Sequence, residues 1–271
     1  MDRATRSTAA AWLAAARPGV VVEVVHTQGS VPREAGTRML VGLHDTIGTI
    51  GGGHLELKAI EAARAMLRDG VAAPRAERLA LGPSLGQCCG GAVELAWRAL
   101  DRSVLDAWPA SPPLFRLQLY GAGHVGQAIA ALLARLDVEV DWIDEREAPF
   151  PPTQPGGAAW PAHIRRIGVD AAEAEVAGAP AGALYLVLTH NHDLDLRITE
   201  AILRRGDFGW LGLIGSRTKR QRFVHRFEQR GIDALTIGRM VCPIGIEGIA
   251  GKSPEVIAVS AVAQLLATSG A

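Results

Sequence analysis

The stretch LFRLQLYGAGHVGQAIAALLARLDVEVDWID, residues 114–144, decides the fold of this 271-residue chain. Its first part, LFRLQLY, is a short apolar run bounded by glycine, which is typical of a buried β-strand. A glycine-rich turn, GAGHVG, follows, and QAIAALLARL then carries apolar residues at helical spacing. The last part, VEVDWID, predicts a second strand. Strand, turn, helix and strand in this order predict a βαβ unit with parallel strands.

The turn contains the pattern G-x-G-x-x-G at Gly121, Gly123 and Gly126. Backbone amides and the N-terminus of the following helix can hold a phosphate at such a turn. Asp144 ends the second strand 23 positions after Gly121, where an acidic residue can bind a ribose hydroxyl. The pattern predicts a dinucleotide-binding (Rossmann) fold and leaves an NAD(P)-dependent oxidoreductase as an alternative function. The same glycines also serve helix–strand packing, and His124 can meet a ligand or lie on the surface.

Two later strand and helix pairs extend this unit. The apolar runs ALYLVLT (residues 183–189) and WLGLIG (residues 210–215) precede helical patterns that start near Asp193 and Arg217. Strands that alternate with helices predict a doubly wound parallel sheet. Ser253 and Pro254 suit a helix cap and a first helical turn, so they predict the start of the last helix.

The first part of the chain predicts a different architecture. A short surface helix is expected at the N-terminus, and VVVEVVHT (residues 20–27) is typical of a strand. Residues 37–43 and 46–50 predict a hairpin, residues 54–68 a helix, and residues 76–81 and 92–100 two further strands. We therefore expect an N-terminal mixed α+β lobe that is built on a mixed sheet and carries a helix.

The proline-rich run DRSVLDAWPASPP, residues 101–113, predicts an interdomain linker. The fold class is accordingly predicted to be α/β. An N-terminal domain with the cysteine loop is expected at residues 1–110, and a C-terminal Rossmann-like domain with a doubly wound parallel sheet at residues 111–271.

The composition excludes several classes of partner. Lys and Arg total 28, as do Asp and Glu, so no overall field favours nucleic acid or an anionic membrane. The sequence has no run of about 18 apolar residues and no long apolar segment of a secretory signal. An odd number of cysteines, three in all, cannot build a disulfide framework. We expect a protein of the cytoplasm that binds neither nucleic acid nor membrane.

Two of the three cysteines are adjacent, at Cys88 and Cys89 within the glycine-flanked string GPSLGQCCGG, where Gln87 precedes them. Thiols on such a loop can reach a soft metal or a sulfur donor, because glycine permits close approach of a ligand. Free cysteine is also often a small buried apolar residue. Cys242 is expected to be structural.

Three further segments are predicted to bind an anion. The loop GSVPREAGTRM brings Arg33 and Arg38, and IGSRTKR brings cations to the start of a helix, where free amides can clamp phosphate. A solvated run of surface charge is the alternative for the second of these segments. GTIGGGHLE adds a second glycine turn that opens onto a helix. The other candidate residues in these segments are Gly52, Gly53, His54, Ser216, Arg217 and Lys219.

The string THNHDLD, residues 189–195, combines imidazoles and carboxylates at a strand end, as a zinc site would. The hydrolase pattern H-x-H-x-D-H would need an aspartate at position 194, which is a leucine. A metallohydrolase using His190, His192 and Asp195 is therefore a minor alternative. In the other interpretation, the two histidines line a polar cleft at the carboxyl end of the strand while Asp193 caps the next helix.

Eight strings in both halves of the chain together resemble the XdhC/CoxI family. They are GSVPREAGTRM, GTIGGGHLE, LGPSLGQCCGG, LYGAGHVG, WIDEREAPFP, LTHNHDLD, LIGSRTKRQRF and CPIGIEGIAGKSPEVIAVS. The resemblance implies a cytoplasmic chaperone, not an enzyme, that binds the molybdenum cofactor in its molybdopterin form, protects it during sulfuration and inserts it into apo xanthine dehydrogenase. The implied partners are the molybdenum-binding subunit of that enzyme, a cysteine desulfurase and proteins that supply the cofactor.

The resemblance also suggests how the candidate residues divide the cofactor between them. Cys88 or Cys89 would contact molybdenum or hold it near the sulfur donor. Arg33 and Arg38 would engage the phosphate and pterin, together with Arg217 and Lys219. The Rossmann-like domain would bind a nucleotide, the phosphate of the cofactor, or neither, and His190 is a further candidate contact. A homodimer is compatible with so large a ligand.

Overall fold

A computed structural model describes residues 2–70, 73–81 and 90–270 of the chain. The chain divides into two compact units, Met1–Ser111 and Pro112–Ala271, here called the N-terminal and C-terminal units. This division lies one residue from the boundary that the sequence predicts. Gln87, Cys88 and Cys89 lie outside the described residues.

The N-terminal unit is built on a five-stranded sheet with the strand order β3-β2-β1-β5-β4. In chain order its elements are α1 (Asp2–Ala14), β1 (Val20–Gln28), β2 (Arg38–Val41), β3 (Thr46–Gly48), α2 (Gly53–Asp69), β4 (Arg75–Ala80), β5 (Ala92–Ala99) and α3 (Arg102–Asp106). All four pairings between the described strands are antiparallel, so the prediction of a mixed sheet was wrong. Three of the pairs join strands that are consecutive in the chain, and short connections permit only antiparallel neighbours.

Alternation along β1 divides the interior of this unit into two clusters. Val20, Val22 and Val24 share one cluster with Leu55 and Ala59 of α2. Val21 points the other way, into a cluster with Ala9 and Trp12 of α1. The predicted surface helix therefore covers one face of the sheet.

The predicted linker is in large part a packed element. Asp101 caps α3, since its carboxylate accepts a hydrogen bond from the amide of Val104. Leu105 and Trp108 are buried in the cluster beneath α1, and Arg6 Nε donates to the carbonyl of Trp108 over 2.8 Å. The interpretation of residues 101–113 as a linker was wrong for residues 101–108, because two large apolar side chains outweighed the turn-forming composition of the segment.

The C-terminal unit contains six strands in the order β11-β10-β9-β6-β7-β8, and all of the described pairings are parallel. Its elements are β6 (Arg116–Tyr120), α4 (His124–Leu133), β7 (Glu139–Asp144), β8 (Ile164–Gly168), a 3-10 helix (Ala172–Gly178), β9 (Leu184–Val187), α5 (His192–Arg205), β10 (Trp210–Leu213), α6 (Arg217–Gln229), α7 (Ala234–Gly238), β11 (Met240–Val241) and α8 (Pro254–Ser269). Counted from β6, this is the 3-2-1-4-5-6 order of Rossmann folds.

Helices cover both faces of the parallel sheet, as predicted. One buried cluster contains Ile129 of α4 and Ala261 of α8, and the other contains Ile202 of α5 and Phe227 of α6. Ser253 caps α8, as predicted, by accepting a hydrogen bond from the amide of Val256. None of the described helices is both long and apolar enough to cross a membrane.

Candidate functional site

The strand order places several candidate residues at the carboxyl ends of neighbouring strands in the parallel sheet. The order in which successive strands are added to the sheet reverses between β6 and β9, and in such folds ligands bind outside the carboxyl ends of the strands at this point. Hydrogen bonds continue just beyond the strands: the amide of Leu188 donates to Tyr120 O, and the amide of Ile214 donates to Val187 O, each over 2.9 Å. The loops that follow β6, β9 and β10 are therefore neighbours.

The three glycines of the turn after β6 have different structural roles. Gly121 has a φ of 114°, and a Cβ there would lie 2.5 Å from the carbonyl oxygen of Leu188. A Cβ on Gly126 would overlap the carbonyl oxygen of Gly121. Around Gly123 a Cβ would meet nothing within 4 Å, and this residue precedes α4 without a capping side chain. Packing therefore explains Gly121 and Gly126, whereas Gly123 leaves room for an anion at the start of α4.

Asp144 lies at the end of β7, as predicted, but its carboxylate is already engaged. It accepts hydrogen bonds from the amide of Ala122 over 2.6 Å and from the Arg146 guanidinium over 2.7 and 2.9 Å. Burial acts to raise the pKa of Asp144, but the bonds from Arg146 and Ala122 outweigh it and lower this pKa below its ordinary value. A ribose would have to displace Arg146, so the nucleotide role of Asp144 stays a prediction.

A buried ion pair joins the first turns of α5 and α6, the helices that follow β9 and β10. Asp195 is fully buried, and its carboxylate accepts from Lys219 Nζ over 2.5 Å, from Thr189 Oγ1 over 2.7 Å and from the amide of Thr189 over 3.0 Å. Lys219 is 9% exposed and also donates to the carbonyl of Ile214 over 2.8 Å. The ammonium of Lys219 is thus engaged in the interior and is not offered to a phosphate, contrary to the prediction.

The histidines near this ion pair do not form a metal site. His190 and His192 are exposed, while Asp195 is turned inward. Within residues 2–70, 73–81 and 90–270, no group of three or more His, Cys, Asp or Glu side chains is placed to hold a metal ion. The helix cap was also assigned to the wrong residue, because Asn191 and not Asp193 accepts hydrogen bonds at the start of α5. An amide oxygen one residue before the first helical turn is well placed to accept these bonds.

Ser216 and Arg217 lie at the start of α6. The hydroxyl of Ser216 caps this helix by accepting a hydrogen bond from the amide of Lys219 over 3.2 Å. Arg217 is exposed, and among the described residues it has no ion-pair partner. Of the two cations predicted here, Arg217 is the one that an external anion can reach.

The loop of residues 29–36 contacts two other glycine-containing parts of the N-terminal unit. The amide of Leu81 donates to the carbonyl of Gly91 over 2.7 Å, which closes the base of the segment between them. A Cβ on Gly91 would overlap Ser30 O, and a Cβ on Gly51 would lie 2.6 Å from Pro32. The loop of residues 29–36 therefore contacts both Gly91 and the turn formed by Gly51, Gly52 and Gly53, here called the triple-glycine turn.

The triple-glycine turn binds a carboxylate of the chain itself. Glu56, in the first turn of α2, accepts from the amides of Ile50 over 3.1 Å and Gly52 over 3.0 Å, and from the hydroxyl of Thr49. Gly53 and His54 begin the helix and are exposed. Sequence reasoning missed Glu56, although an acidic residue in a first helical turn is the relevant signal.

The two candidate arginines of this unit differ in their surroundings. Arg38 is largely buried, pairs with Glu23 over 2.6 Å and lies over the ring of Trp108 at 5.4 Å. Arg33 is half-buried in the loop that contacts the triple-glycine turn. The guanidinium of Arg38 is therefore engaged within the unit, and a contact between Arg33 and a ligand stays a prediction.

Comparison with known proteins places both units. Residues 117–265 match the model described as the XdhC Rossmann domain, and residues 12–79 match that of the XdhC and CoxI family. The chain belongs to the XdhC and CoxI family. This result confirms the resemblance found in the sequence and the Rossmann fold of the C-terminal unit.

The chain is also similar to one curated protein and to one solved structure. The chain is 31% identical over 260 residues to the uncharacterized protein YqeB of Escherichia coli (strain K12). That alignment covers 92% of this chain but 43% of YqeB, so the chain spans less than half the length of that relative. A crystal structure described as that of a xanthine dehydrogenase from Bacillus halodurans has a TM-score of 0.75 and 19% identity, over 98% of this chain and 95% of that chain. At this identity the likeness shows the shared fold.

Proposed function

We propose that this protein is an accessory factor in the maturation of xanthine dehydrogenase. It binds the molybdenum cofactor, protects it while a terminal sulfido ligand is installed, and delivers it to the molybdenum-binding subunit of the apo-enzyme. Membership of the XdhC and CoxI family supports this role. In the proposal the protein carries its cargo without turning it over. It acts in the cytoplasm, receives the cofactor from supply proteins, and works beside a cysteine desulfurase that provides the sulfur.

The contacts of the loop that holds Arg33 carry the proposal. Gly91, two residues after Cys89, packs against Ser30, and the same loop contacts Gly51 through Pro32. Gly91, which follows the cysteine segment in the chain, thus lies beside the loop that holds Arg33. A thiol and a guanidinium would together suit a ligand that combines a sulfur-rich metal centre with a phosphate.

In the proposal, the C-terminal unit offers a phosphate position of its own. The start of α4 has no capping side chain, Gly123 leaves space there, and Arg217 is exposed at the start of α6. Lys219 and Arg38 are excluded from the proposed contacts, since both are committed to ion pairs.

The test is to purify the chain from cells with and without an intact cofactor pathway and to measure bound molybdenum and pterin. We expect both to copurify only when the pathway is intact. The variants Cys88→Ala and Cys89→Ala, singly and together, should lose molybdenum and the ability to activate apo xanthine dehydrogenase.

Cys242→Ala is the matched control. Burial raises the pKa of the Cys242 thiol, which makes it a poor ligand, so this variant should keep both activities. Equal molybdenum content in the double variant and the control would refute the thiol role. Absence of molybdenum and pterin from the wild-type chain, together with saturable NAD(P) binding and hydride transfer, would instead favour the oxidoreductase alternative.

A further inference from the structure

The C-terminal unit contains a cavity of about 540 Å³ between α4, α8 and the segment around Gln154 and Pro155. It lies along the helix pair that covers one face of the sheet, and the predicted contact residue His124 is one of the residues that line it. Cavities that bind small molecules typically measure about 300–1,000 Å³ and combine apolar walls with a few polar groups.

Small and aliphatic side chains form the walls of this cavity. Ala128, Ala131 and Leu132 line it from α4, and Ala258 and Val259 line it from α8. Alanines on both helices leave a space that larger residues would fill. The result is a concave apolar surface between two packed helices, which is suited to a flat hydrophobic ring.

Polar groups lie around this apolar surface. Gln127 donates to the carbonyl of Ala122 over 3.0 Å, and Gln154 donates to the carbonyl of Ala159 over 2.6 Å, so both amides are held in place. Their oxygens can accept hydrogen bonds from a ligand. Arg135 lines the cavity, is exposed, and among the described residues has no ion-pair partner. Glu255 lies in the first turn of α8, where the helix dipole already stabilises its charge.

We propose that this cavity binds a small molecule with a planar aromatic ring and one acidic group. The ring lies against the alanines and Val259, and the acid pairs with Arg135. A protein partner fits less well, because stable interfaces bury about 800 Å² on each side. Here the large apolar side chains that line the cavity are Leu132, which is half-buried, and Val259, which is 53% exposed. The proposal is independent of the cofactor carriage proposed above.

The probe for the test is 8-anilinonaphthalene-1-sulfonate, an anion with a planar naphthalene ring whose fluorescence rises in an apolar site. Titration of the folded full-length chain should show one saturable site. Ala131→Trp, which fills the cavity, should weaken binding at least about tenfold, and Arg135→Glu should weaken it about three- to tenfold. Thermal unfolding of each variant confirms that it is folded.

Two matched controls lie outside the cavity. Leu235→Trp adds the same ring at an 86% exposed position of α7, and Arg222→Glu reverses an exposed charge on α6. Both should bind the probe as the wild type does. Binding that is unsaturable, or that is unchanged in both Ala131→Trp and Arg135→Glu, overturns the proposal. So does a halving of the molar mass of Ala131→Trp in light scattering, since a second copy would then be the occupant.

Discussion

Charged side chains in the interior of the C-terminal unit hold its loops together. Asp195 and Lys219 belong to the first turns of two different helices, and their carboxylate and ammonium meet over 2.5 Å. Removing one partner from such a pair leaves the other buried without compensation. The stability of the loops at the carboxyl ends of β9 and β10 therefore depends on individual side chains.

Asp195→Asn or Lys219→Met should each lower the free energy of unfolding by about 3–5 kcal/mol, because the remaining group loses its charged partner in a dry site. The double variant should cost less than the sum of the two single changes. Urea unfolding at pH 7 provides the measurement. Arg102→Ala, which breaks an exposed pair with Asp106, is the control and should cost at most about 1 kcal/mol. Additive single effects would contradict the pairing.

Asp144 should make the stability of the same unit depend on pH. The bonds from Arg146 and Ala122 lower its pKa in the folded protein below the ordinary value of 3.8. Its contribution is therefore present above the ordinary pKa and lost as the pH falls through the lower, folded-state pKa. Asp144→Asn should be less stable than the wild type at pH 7, and urea unfolding between pH 7 and 3 should show the difference shrinking in acid. A constant difference across this range would refute the assignment.

At the scale of elements, two glycines of the turn after β6 have different roles: Gly126 serves packing, and Gly123 leaves space for a ligand. Gly126→Ala should lower the free energy of unfolding, measured in urea, by about 1–3 kcal/mol or more. Gly126 lies in the first turn of α4, and its new Cβ would overlap the carbonyl of Gly121 in the preceding turn. Gly123→Ala is the matched control, since its Cβ meets nothing within 4 Å, and it should cost less than about 1 kcal/mol. If Gly123 does admit an anion, its variant should weaken phosphate binding while the fold stays intact. Equal losses of stability in the two variants would contradict the close approach of Gly126 to the carbonyl of Gly121.

The N-terminal unit offers a parallel pair of glycines. Gly91→Ala should destabilise this unit and displace the base of the cysteine segment, because its Cβ would overlap Ser30 O and lie 2.5 Å from Gln28 O. In Gly90→Ala, one residue earlier, the new Cβ meets no described residue within 4 Å, so this variant should be nearly neutral. Thermal unfolding together with molybdenum content checks both effects. If Gly90→Ala proved the more damaging change, the contact between the two loops would not be what positions the segment.

At the scale of the whole molecule, each unit has its own buried clusters, so each should fold alone. Fragments 1–111 and 112–271 should each unfold cooperatively in urea, as followed by circular dichroism. A fragment that ends at residue 100 should be much less stable than fragment 1–111, since it lacks Leu105 and Trp108. Equal stability of the two N-terminal fragments would mean that α3 is dispensable.

Local patterns in the sequence were sufficient for most of the secondary structure. The β1 strand, the α2 helix, the βαβ unit around Gly121 and the cap at Ser253 all lie where periodicity and capping chemistry predict them. These features depend on residues close together in the chain, so a single segment contains the information needed to form them. The order of eight short strings also identified the family.

What the sequence determined by itself was the Rossmann fold of the C-terminal unit and the membership of a family. Only the tertiary structure decided which charges are available to a ligand. Lys219 and Arg38 look like phosphate contacts in the sequence, yet each is paired with a carboxylate that is distant along the chain. Asp144 differs in part, because its carboxylate accepts from an amide 22 residues away but pairs with Arg146, only two residues along the chain. Ion pairs of this kind depend on which loops meet in space, and local sequence patterns do not encode such long-range contacts.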